Sequence, residues 1–183
     1  MKKLLFLSIV VLGLTTSSFA QNLVANASAF AEIQSQSGSG SGSNGAGVAW
    51  AKDMNFGSIN VFGLTSGTGS VTIDPSSLSP ATANQTVPAT YSSNIAVGTN
   101  SPTIQPASFT VTGSPTSITI TNSIPLTFGT HTIVVDNIKS NKTLVLAASG
   151  TKTLYVGGTM NLAAGQAVGG YANTAGLEVT IAY

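Results

Sequence analysis

Residues able to move a proton or hold a metal are few and scattered in this chain. The one histidine, His131, stands between Thr130 and Thr132 at the start of an alternating segment. A lone imidazole, with no second histidine and no cysteine anywhere, completes neither a metal set nor a nucleophile–base pair. The carboxylates are Glu32, Asp53, Asp74, Asp136 and Glu178. Glycoside hydrolysis would need the fold to bring two of them together. Asp53, Asp74 and Asp136 each adjoin turn residues, which points instead to solvated charges on turns and strand surfaces. Neither Asp74 nor Asp136-Asn137 has the repeated acidic spacing of a calcium loop. A serine elbow of the form Gly-x-Ser-x-Gly is absent. Gly40-Ser41-Gly42-Ser43-Asn44-Gly45 matches the dinucleotide fingerprint, yet it lies in a Gly/Ser tract with no helix and no acidic residue in the required context, so the match is coincidental. The expectation is a protein that is no enzyme, with no catalytic, cofactor-binding or metal-binding residue.

Two further residue sets are weighed the same way. Trp50, Tyr91, Tyr155, Tyr171 and Tyr183 have rings that stack on pyranose sugars, but aromatics in strands usually serve core or cross-strand packing. Asn26, Asn84 and Asn141 each begin an Asn-x-Ser/Thr triplet, as a chain so rich in these residues produces from composition alone.

The elements that carry these residues are strands. Val71 and Ile73 alternate with Ser70, Thr72 and Asp74 before the turn sequence Asp74-Pro75-Ser76-Ser77. Phe109 and Val111 alternate with threonines ahead of Gly113-Ser114-Pro115, and Ile118 and Ile120 follow, so that pair reads as a hairpin. Ile133 with Val135, Leu154 with Val156, and Leu177, Val179, Ile181 and Tyr183 repeat the period of two. Met54 and Phe56 place the apolar face on even positions, whereas Ile59 and Val61 place it on odd ones, which predicts a β-bulge near Gly57. The segments add up to about eight or nine strands, the pattern of an all-β antiparallel β-sandwich, immunoglobulin-like or fimbrial-subunit-like, with a closed barrel as the alternative. Residues 76–106 hold four prolines and predict long loops around one or two strands between Tyr91 and Val97.

The N-terminus carries Lys2 and Lys3, then an apolar run over residues 4–14, then Ser18 and Ala20. A bilayer-crossing helix needs about 20 residues, so this shorter run is a signal peptide with cleavage expected after Ala20. The predicted division is 1–20 signal peptide, 21–36 N-terminal strand segment, 37–47 Gly/Ser-rich tether and 48–183 β-sandwich domain. In the strand segment Leu23, Ala25, Ala27, Ala29, Ala31 and Ile33 share one face. After the leader only four lysines face five carboxylates, and the sequence has no arginine, so nucleic acid is no expected partner. Charged residues make up 6% of the chain, against the usual quarter, and 24 serines and 24 threonines supply the polar surface. With no cysteine there is no disulfide to staple the fold.

Read in order, Met54-Asn55-Phe56-Gly57, Gly69-Ser70-Val71-Thr72-Ile73, Ala107-Ser108-Phe109-Thr110-Val111-Thr112-Gly113, Leu154-Tyr155-Val156-Gly157-Gly158-Thr159 and Gln166-Ala167-Val168-Gly169-Gly170-Tyr171, closed by Leu177-Glu178-Val179-Thr180-Ile181-Ala182-Tyr183, resemble the secreted bacterial domain-of-unknown-function 4402 family. The resemblance covers the chain from about Asp53 onward. It implies a β-sandwich in exported bacterial proteins with no established activity. A fainter likeness is to chaperone/usher-type fimbrial subunits. It rests on Gly170 fourteen places from the end, the terminal Tyr183 and the alternating N-terminal segment. The expected function is therefore that of a non-catalytic, exported structural or adhesive protein of the periplasm, cell surface or extracellular space, such as a fimbria-like subunit. Its expected partners are copies of itself or envelope proteins through strand pairing. The alternative is a carbohydrate-binding or other ligand-binding module, with partners among glycans. The N-terminal strand is expected to pair within its own chain.

Overall fold

Threonine, valine and isoleucine are stiff at the first side-chain torsion and favour a pleated backbone, and every long element among the described residues is a strand. The structure is a computed structural model that describes residues 24–29, 47–61, 64, 66–97, 103–113, 117–141, 150–173 and 176–182. The predicted signal peptide, Glu32, most of the tether and Tyr183 lie outside the described residues. Thirteen strands and one short 3-10 turn lie among the described residues: β1 (Val24–Ala29), β2 (Gly47–Lys52), β3 (Met54–Asn60), β4 (Thr68–Ile73), the turn Pro75–Ser77, β5 (Thr90–Tyr91), β6 (Ala96–Val97), β7 (Ala107–Thr112), β8 (Ser117–Ile120), β9 (Ile124–Phe128), β10 (His131–Ser140), β11 (Thr151–Ala163), β12 (Gly169–Ala172) and β13 (Val179–Ala182). Among them no helix is long and apolar enough to cross a membrane.

The fold is all-β and sandwich-like, with antiparallel pairing throughout except between β1 and β12. One long sheet runs β2-β7-β11-β10-β9-β12-β1-β3-β6, and β4 with β5 joins it along β11. β11 is the spine. Along one edge it pairs first with β7, from Thr151 to Val156, and then with β4, from Gly158 to Ala163. Its other edge takes β10, from Val156 to Asn161. The handover falls at Gly157, where a Cβ would be driven into the Ile73 carbonyl oxygen and would stand 2.8 Å from Pro75 Cδ. Only glycine lets two strands and the 3-10 turn converge there. The curled sheet closes its inner face on a single apolar cluster that includes Phe56, Ile73, Phe109, Leu126, Leu154 and Tyr171.

The bulge predicted from the switch in alternation is present. Asn26 of β1 pairs with Ser58 and Ser28 with Asn55, so that Phe56 and Gly57 together face Ala27. Gly57 has φ of 74°, and its N–H donates to Asn55 Oδ1 at 2.8 Å. With the extra residue absorbed, Met54 and Phe56 before it and Ile59 after it are all fully buried.

The predicted hairpin of 107–112 with 117–120 is not formed. β7 is taken on both sides by β2 and β11, so β8 leaves that sheet and pairs with β13, setting Ile118 against Ile181 and Ile120 against Val179. Either pairing matches apolar to apolar, which is why alternation alone favours the nearer partner. Another hairpin does form: β9 turns through Gly129 and Thr130 into β10, with Leu126 opposite Ile133. The long region before Pro106 contains the two short strands β5 and β6, as its weak periodicity predicts.

Candidate functional site

β1 has a two-sided place in the main sheet. β3 presents one ladder edge and β12 another, and β1 fills the gap between them. Val24 pairs with Asn60 and Ala29 with Met54 in antiparallel register along β3. Ala25 pairs with Gly169 and Ser28 with Ala172 in parallel register along β12. A two-sided position means that its removal would leave two rows of backbone donors and acceptors exposed rather than one. No residue of β1, β3 or β12 is charged, so pairing meets no electrostatic preference and rests on backbone hydrogen bonds and fit.

The slot wall at β12 is braced from behind. Phe128 lies across Gly169, where a Cβ would strike its ring. The same ring sits 5.7 Å from the ring of Tyr171 at a tilt of 53°, within the range of favourable aromatic pairs. The Tyr171 hydroxyl accepts from Gln166 Nε2 at 2.7 Å and donates to the Ala167 carbonyl at 2.9 Å, which fixes the loop entering β12.

A second buried polar unit fastens the long loop. Asn141 is 1% exposed. Its Oδ1 accepts from the Tyr155 N–H at 2.8 Å, and its Nδ2 donates to the Thr153 carbonyl at 3.2 Å. The Tyr155 hydroxyl donates to the Thr82 carbonyl at 2.7 Å and accepts from the Gln85 N–H at 2.9 Å. Tyr155 pairs with Ser108 beside the core residue pair Leu154 and Phe109, so strand geometry turns it away from the core face. It is buried because the loop covers it, a contact that alternation does not reveal.

The residues weighed for chemistry lie on strands and on the connections between them. His131 is exposed at the start of β10. Asp53 joins β2 to β3, Asp136 is exposed on β10 and Glu178 is exposed just before β13. Asp74 caps the 3-10 turn, its carboxylate accepting from the Ser76 N–H at 2.9 Å. That bond, the Ser76 side chain and the charge of Lys139 hold the Asp74 carboxyl below its usual range. Among the described residues no three His, Cys, Asp or Glu side chains gather as a metal site. Of the aromatics, Tyr155 and Tyr171 are buried, Tyr91 is half-buried with its hydroxyl unpartnered and its pKa raised by burial, and Trp50 on β2 is 46% exposed.

Residues 47–183 match the family model described as a domain of unknown function, DUF4402. The chain belongs to the DUF4402 family. The matched region begins at the first residue of β2, so β1 stands outside the DUF4402 match although it is hydrogen-bonded into the middle of the sheet. No curated protein and no solved structure matches the chain.

Proposed function

We propose that this DUF4402 protein is a non-catalytic, exported structural or adhesive subunit of the bacterial cell surface, with a fimbria-like use of strand pairing. The observation that carries the reading is the placement of β1: a strand from outside the family-matched domain completes the sheet between β3 and β12. A sheet completed from both sides resists extraction because several ladder bonds must break together. Uncharged, hydroxyl-rich strands suit surface contact more than directed proton transfer. The test is to express the full-length gene in a bacterial host, fractionate the cells, and examine the surface by immunogold electron microscopy alongside an adhesion assay. Labelled surface material and increased adhesion are the expected results. Protein confined to the cytoplasm, or exported protein that leaves surface and adhesion unchanged, would overturn the proposal.

One observation favours the second reading, a carbohydrate-binding module: Trp50 is 46% exposed on β2, a strand whose ladder has a partner on one side only among the described residues. An exposed indole stacks on a sugar ring at little conformational cost. Glycan-array binding abolished by Trp50→Ala, with melting unchanged, would support that module; an array without signal would remove it.

A further inference from the structure

We infer that the slot between β3 and β12 accepts β1 from a second copy of this chain as well as its own, so that the subunits link by exchanging this strand. The inference rests on the structural-subunit reading above and names the partner. Three features carry it. The first is reach. Ala29 lies beside Met54, and β2 leads to Met54 from Gly47, so the ends that residues 30–46 connect are at most about 28 Å apart at ordinary strand spacings. The same stretch can extend to roughly 60 Å, more than twice what the in-chain path needs. Covalent connection therefore does not reserve β1 for its own slot.

Selectivity is the second feature. The bulge at Gly57 opposes two residues to Ala27, and β12 runs parallel to β1 where β3 runs antiparallel. A filling strand must satisfy this offset and both directions at once, and β1 of another copy does so with identical contacts. Exchange of an identical element between protomers costs little in native interactions. The third feature is the absence of charge on all three strands, which removes the repulsion that usually keeps sheet edges apart. In dilute solution the tethered strand has the higher effective concentration and the in-chain pairing wins. At the packing density of a cell surface the intermolecular pairing competes.

Because the chain has no cysteine, the pairing can be read by a single engineered disulfide. Val24 and Asn60 are cross-strand partners of β1 and β3. Full-length chains carrying Val24→Cys with one epitope tag are mixed with chains carrying Asn60→Cys and a second tag, at high concentration and in cells co-expressing both, and then oxidised. A covalent heterodimer carrying both tags, several-fold above mixtures of either variant with wild type and lost on reduction, is expected. The chain bearing both substitutions is expected to give a ladder beyond dimer in assembled material and a closed monomer when dilute. Assemblies in which the double variant closes only within its own chain would overturn strand exchange while leaving the subunit reading in place. Protein that stays monomeric at the cell surface would overturn both. Unchanged melting of each single variant confirms that the mixtures report on folded chains.

Discussion

Gly157 offers the sharpest test of how the sheet is put together. Gly157→Ala adds one methyl group at the handover of β11 from β7 to β4, directly against the Ile73 carbonyl and 2.8 Å from Pro75 Cδ. Overpacking a closed interior costs about 1–3 kcal/mol. Here the obstacle is backbone, which cannot rotate aside, so β4 must shift and weaken its pairing of Ile73 with Gly158. Losing two ladder hydrogen bonds adds about 1 kcal/mol each. The sum, about 3–5 kcal/mol, is a large share of a usual stability of about 5–15 kcal/mol. At about 2–4 °C per kcal/mol for a domain of this size, melting should fall by roughly 6–20 °C. Gly150→Ala and Gly170→Ala are the controls, since a Cβ at either position meets nothing within 4 Å; both should melt close to wild type. The assay is thermal unfolding of the purified protein followed by circular dichroism. A Gly157→Ala protein melting within about 2 °C of wild type would refute the convergence of β4, β11 and the Pro75 turn at this glycine.

Tyr155→Phe removes the hydroxyl that holds Thr82 and Gln85; it should cost about 1–3 kcal/mol and open residues 79–85 to limited proteolysis, and a protease-resistant loop would contradict this. Asp74 has its carboxyl held below the usual 3.8 by the Ser76 N–H, so its contribution is present above the unfolded value and lost as pH falls through the folded one. Asp74→Asn should therefore lower stability at pH 7, only slightly because the group is largely solvated, and the difference from wild type should vanish as pH falls below about 4; a difference in urea-unfolding midpoint that grows in acid would contradict this. Intact-mass measurement of exported protein should give a chain beginning at Gln21, and retention of residues 1–20 would contradict the export signal.

Much of the strand content is legible in the sequence because a half-buried strand must alternate. Val71 with Ile73, Phe109 with Val111, Ile133 with Val135 and Leu154 with Val156 all fall on the core face, and the change of parity across Gly57 locates a bulge to the residue. Pairing is less legible. Ile118 and Ile120 are equally good partners for Val111 or for β13, and only the occupied edges of β7 send them to β13. β9 escapes the periodic reading because Pro125 stands inside the five-residue alternation of Ile124, Leu126 and Phe128. It is tolerated there as an exposed residue opposite Val134. The burial of Tyr155 and Asn141 depends on a loop far away in sequence, which no local pattern encodes. For the site, the alternating N-terminal residues mark a strand, but its parallel partner β12 follows from the completed sheet alone.

β1 completes the sheet between β3 and β12. Hydrogen–deuterium exchange of the purified protein, resolved by mass spectrometry of short peptides, measures this directly. Backbone amides of residues 24–29 bonded on two sides should be protected about as strongly as those of β3 and β12. Free exchange across residues 24–29, with β3 and β12 still fully protected, would contradict it.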